Sequence, residues 1–152
     1  MPIALFLAVA AAAAPVCDAP AAPLPAPLSA WTQARPAQDS IVPGGAVTLT
    51  LKPSAGFDYA VAPPKPDAAD RFSGVFALHV HAAGRYAVAL SLPAWIDMIR
   101  DGKSIASTAH QHGPDCSGIR KIVVFDLVPG DYRLQFNNSP AASATVLVTP
   151  WP

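Results

Sequence analysis

An all-β fold, a β-sandwich or jelly roll of about eight or nine short antiparallel strands, is what this sequence predicts, on three observations. After Gly44-Gly45, apolar and polar residues alternate with a period of two, the mark of half-buried strands. Turn-forming pairs such as Asp101-Gly102 and Pro129-Gly130 separate the alternating runs. No run after the apolar start repeats its hydrophobic positions at helical spacing.

In chain order, Val47, Leu49 and Leu51 alternate with Thr48, Thr50 and Lys52, and Phe57, Tyr59 and Val61 make the next run. Phe76, Leu78 and Val80 then form one face of a strand, and Tyr86, Val88, Leu90 and Leu92 one face of the following strand. The short turn Ala82-Ala83-Gly84 between them predicts a hairpin. Trp95 to Arg100 and Lys103 to Ser107 predict a second, because Asp101-Gly102 readily takes the positive φ values of a type I′ turn. Ile122 to Leu127 and Tyr132 to Phe136 flank Pro129-Gly130 as a third, and a last strand is expected near Ala144 to Val148.

The sandwich domain is expected over residues 44–152, with two segments before it. Residues 1–14 read as a signal peptide, an apolar stretch running into Ala-x-Ala, which places the mature chain in the periplasm or outside the cell. Its roughly 12 apolar residues fall short of the ~20 that span a bilayer, so no transmembrane segment is expected in the mature chain. Residues 15–43 hold seven prolines and predict an extended arm docked by Trp31, since proline fixes φ and lacks an amide donor. At 152 residues the chain has room for one domain with a real core.

Ten Lys and Arg balance ten acids, so no basic field exists to attract nucleic acid. Every acid is Asp. Cys17 and Cys116 are the two cysteines, and in an exported chain they predict a disulfide tying the arm to the loop before Ile122. A metal-ligating thiolate at Cys116 is the competing reading. No Gly-x-Ser-x-Gly elbow occurs, and a cysteine in a disulfide cannot act as a nucleophile.

All four histidines fall in two His-x-His pairs, His79 with His81 and His110 with His112. Residues two apart on a strand share a face, so His79 and His81 point away from Phe76, Leu78 and Val80. Such a pair is a possible grip on Cu or Zn, but it also occurs often on a solvated strand face. His110 and His112 are the better ligand candidates, because they precede Gly113-Pro114 in a loop where side chains converge. Asp115, Arg120 and Lys121 extend that segment into a possible ligand loop.

The stretch from Trp95 to Lys121, above all His110-Gln-His-Gly-Pro-Asp-Cys116, resembles a family of small exported bacterial proteins. Val128-Pro-Gly-Asp-Tyr-Arg-Leu-Gln135 extends the resemblance over roughly the last half of the chain. Some members of that family carry the label homogentisate 1,2-dioxygenase, which implies a non-haem Fe enzyme that opens an aromatic ring with oxygen. Such enzymes hold iron with two histidines and a glutamate; with no Glu here, an Asp would have to supply the carboxylate. Ala83-Gly84-Arg85-Tyr86 and Pro129-Gly130-Asp131-Tyr132 are also similar to turns in the β-sandwich domains appended to secreted peptidases. That likeness implies a fold, and fold does not fix function.

The first expectation is therefore an exported, non-catalytic β-sandwich that binds a protein or small ligand. The second is a Cu- or Zn-binding protein using His110 and His112, and the third is the iron enzyme implied by the resemblance.

Overall fold

The computed structural model describes Cys17 and residues 22–152. The expected signal peptide lies outside the described residues.

Two six-stranded sheets face each other. Sheet A runs, in spatial order, β1 (Arg35–Ala37), β3 (Ala46–Thr50), β12 (Ser143–Pro150), β6 (Gly84–Leu90), β10 (Lys121–Leu127) and β9 (Ala109–Gln111). Sheet B runs β2 (Ser40–Ile41), β5 (Phe72–Val80), β11 (Gly130–Ser139), β7 (Trp95–Arg100) and β8 (Lys103–Ile105), with β4 (Lys52–Pro53) also on β5. Every pairing is antiparallel except β1 on β3 and β2 on β5, which are parallel. The predicted β-sandwich is the observed architecture.

The period-2 pattern builds the core between the sheets. Phe76, Leu78 and Val80 of β5 and Leu134 and Phe136 of β11 meet Val88 and Leu90 of β6, Val123 and Phe125 of β10, and Val146 of β12. Each such side chain contributes about 1.5–3 kcal/mol on burial. The rings of Phe76 and Phe136 meet edge-on at 5.8 Å.

Sheet A is apolar on its outer face too. Ala87, Ala89, Ile122, Val124 and Leu147 form a second cluster there with Leu28 and Trp31 of the arm. Ile122-Val123-Val124-Phe125 is continuously apolar because β10 is covered on both sides. The arm is not extended throughout, as its prolines predict: Ala26–Gln33 forms a 3₁₀ helix. Pro25 and Pro27 sit at its start, where a missing amide donor has no partner to lose, and the Leu28 amide donates to Pro25 O at 2.8 Å. Trp31 docks the arm, donating from Nε1 to Ser117 O at 3.0 Å. A disulfide joins Cys17 to Cys116, with 5.5 Å between their Cα atoms.

Of the three predicted hairpins only the second forms. β7 and β8 pair across Asp101 and Gly102, whose φ values of 50° and 74° are those of the type I′ turn. β5 and β6 lie in different sheets, and so do β10 and β11. The Gly-x-Tyr sequences mark corners where the chain passes from one sheet to the other. At each corner the tyrosine ring is buried between the sheets and its hydroxyl donates four residues back, Tyr86 to Ala82 O at 2.7 Å and Tyr132 to Val128 O at 2.8 Å. This is the fastening device of a tyrosine corner.

The strand expected at Phe57, Tyr59 and Val61 is also absent. Residues 54–71 are irregular and lie against the outer face of sheet B. Their backbone groups bond to a side chain instead of a ladder. Gln135 Oε1 accepts from the Ala60 and Val61 amides at 2.8 and 3.3 Å, and its Nε2 donates to Val61 O at 3.0 Å.

Candidate functional site

The stretch from Arg35 to Ile41 adds β1 to sheet A and β2 to sheet B, so it closes one side of the sandwich. On the opposite side the edges are β9 and β8, three residues each. β8 pairs only with Met98, Ile99 and Arg100, which leaves the first half of β7 without a neighbour on that side among the described strands. A cleft of about 760 Å³ opens there.

Its apolar wall comes from Ile105 of β8 and Val123 and Phe125 of β10. Lys121, Val123 and Phe125 alternate on β10 and share a face. His110 pairs with Val123 in register, which puts it on that same face. Trp95, 48% exposed, and Asp97 line the cleft from β7.

Lys121 is half-buried. Its Nζ donates to Ala94 O at 3.0 Å and stands 5.8 Å from the centre of the Trp95 ring. Burial lowers its pKa below the usual lysine value. Asp97 Oδ1 accepts from Ser104 Oγ at 3.1 Å, whereas its Oδ2 is buried without a hydrogen-bond partner among the described residues. An orphaned buried acceptor is costly and calls for a donor. A smaller groove, formed by Pro93, His112 and Arg120, adjoins and shares His110 and Lys121.

The structure thus gathers four of the sequence-derived candidates, His110, His112, Arg120 and Lys121, along one edge. The remaining candidate of the 110–121 segment, Asp115, is exposed and lines neither groove. The turn that carries it is held tightly: at Gly113 any Cβ would collide with Ile119, and Cys116 and Gly118 take φ values of 59° and 77°. Sequence reasoning missed Trp95, Asp97, Ile105 and Phe125 as lining residues. The available signal was Trp95, a large aromatic beside a proline-flanked strand start.

His79 on β5 of sheet B, and His81 just past the end of that strand, lie far off in the strand order, whereas His110 is on β9 at the open edge of sheet A. His79 and Asp131 line a separate groove of about 710 Å³. The two His-x-His pairs therefore do not combine into a four-nitrogen site. The iron that the sequence resemblance implies needs two histidines and a carboxylate converging on one point. Among the described residues no group of three or more His, Cys, Asp or Glu is placed to hold a metal ion, so the residues do not fit that group.

No family model matches the chain, and no curated protein does. Among solved structures it is similar to the pre-peptidase C-terminal domain of collagenase from Bacillus anthracis, at 14% identity, covering 75% of this chain and 97% of that one, with a TM-score of 0.44. A likeness that faint carries no argument about function.

Proposed function

We propose that this chain is an exported, non-catalytic β-sandwich that binds a small amphipathic ligand in the cleft on its open edge. The carrying observation is the cleft itself, an apolar wall with a few convergent polar groups, as ligand sites generally are. Ile105, Val123 and Phe125 suit a ring or short aliphatic body. Lys121 suits a carboxylate, and Asp97 places an acceptor on the opposite wall for a hydroxyl or amine donor. The Cys17–Cys116 disulfide supports export, since such bonds persist in oxidising compartments.

Amide NMR of the oxidised protein titrated with 4-hydroxybenzoate tests the reading. Shifts should concentrate at residues 95–97, 105–110 and 121–125. Lys121→Met should weaken binding about tenfold, the worth of one charge-assisted hydrogen bond. Shifts scattered elsewhere, or none at millimolar ligand, would overturn it.

A further inference from the structure

The outer face of sheet B carries an arrangement that the edge cleft does not use. His79 and His81 both project outward from the end of β5, and Asp131 is the register partner of His79 on β11. His79 Nδ1 and Asp131 Oδ1 are 2.6 Å apart. A carboxylate can only accept from neutral imidazole, so this bond puts the ring proton on Nδ1 and the lone pair on Nε2. That carboxylate–imidazole pairing is the one that orients histidine ligands in metal sites.

The second imidazole is already at ligand spacing. The centroids of His79 and His81 are 4.5 Å apart, with the rings inclined at 70°. With metal–nitrogen bonds of ~2.0–2.1 Å, neighbouring imidazoles at right angles about one ion have centroids ~4.5 Å apart, whereas a tetrahedral ion spreads them to about 5 Å. The observed spacing leaves room for both rings to meet one ion, and among divalent first-row metals Cu(II) binds imidazole nitrogen most strongly.

We infer that His79 and His81 form a two-nitrogen chelating site for Cu(II), with Asp131 as the positioning residue that holds His79 in its ligating tautomer. Water completes the coordination, since the pair stands in the open: His79 is 52% and Asp131 93% exposed. The strand holds both rings on one side before the ion arrives, which reduces the ordering cost of binding. The inference is independent of the edge cleft, which lies on the opposite side of the strand order.

Cu(II) titration of the untagged, oxidised protein, read by calorimetry and electron paramagnetic resonance, tests it. One equivalent should bind at micromolar strength, with splitting from two nitrogens, and Zn(II) should bind more weakly. His79→Gln/His81→Gln should abolish the signal while thermal unfolding stays within about 1 kcal/mol of wild type, because both side chains are outside the core. Asp131→Asn should weaken uptake about tenfold or more without changing the number of nitrogens. His110→Gln/His112→Gln should leave uptake unchanged. Absence of uptake by wild type, or equal uptake by the His79→Gln/His81→Gln variant, overturns the site. An unaltered affinity in Asp131→Asn overturns the role given to Asp131.

Discussion

Each sheet is covered over part of its outer face, but by opposite means. The arm lies on sheet A through apolar contact, with Leu28 and Trp31 pressed onto Ala87, Ala89, Ile122 and Leu147, and a disulfide anchors it. The 54–71 loop lies on sheet B through polar contact. There Gln135 bonds to Ala60 and Val61, the Tyr59 hydroxyl bonds to Asp67 and Ser73, and Asn138 Oδ1 accepts from the Ala68 amide at 3.2 Å. Apolar cover is non-directional and tolerates small shifts. A cover made of hydrogen bonds holds only while each donor finds its acceptor, and every lost partner leaves a buried group unsatisfied.

The largest effect should come from the apolar cover. Trp31→Ala removes a buried ring and its bond to Ser117, and should cost about 3–5 kcal/mol in denaturant unfolding of the oxidised protein. A loss below ~1 kcal/mol would mean that the arm folds separately from the sandwich.

The polar cover should give way by steps. Gln135→Leu leaves the Ala60 amide and both polar groups of Val61 unpaired, at a cost of about 1–3 kcal/mol. Hydrogen exchange should rise across 54–71 while β6 and β10 keep their protection. Equal loosening of both sheets would erase the distinction between the covers.

The smallest effect should be at Tyr59. Its pKa is raised, first by burial and then by the bond to Asp67, so the folded state favours the neutral phenol. Below pH 10 both folded and unfolded chains keep the proton. Above it the unfolded chain loses the proton first, and stability falls as pH rises toward the folded pKa. Tyr59→Phe should cost about 1 kcal/mol at neutral pH and flatten that alkaline decline. An unchanged decline would place its origin in other groups.

The same contrast explains what could be read from the sequence. Alternation placed β3, β5 and β6, because a period of two reports directly on burial between sheets, and the turn pairs Asp101-Gly102 and Pro129-Gly130 bracketed β7, β8, β10 and β11. The arm's anchor was legible from Trp31 and the cysteine pair. The loop was not: Phe57, Tyr59 and Val61 alternate like a strand, but their partners are side chains, and no local pattern shows that Gln135 will supply them. The corners misled for a similar reason. Gly-x-Tyr marks a reversal, and only the distant pairing of β5 with β11 and β6 with β10 decides whether the reversal stays within a sheet. At the site, His110, His112, Arg120 and Lys121 were legible as chemistry, whereas the place of Trp95 and Asp97 in a cleft follows only from β8 being too short to cover them.

The position of β12 has a consequence for how the chain is made. It lies between β3 and β6 in the middle of sheet A, although it is the last strand in sequence. β3 therefore has no antiparallel neighbour until β12 has been synthesised, and the apolar outer face of sheet A is not assembled for the arm before that. Roughly fifty residues separate β6 from β12, which at ~5–20 residues per second is several seconds of synthesis. Throughout that interval the arm over residues 22–43 has no finished surface to fold onto. Its sparse large apolar side chains and frequent prolines leave it little to aggregate with while it waits.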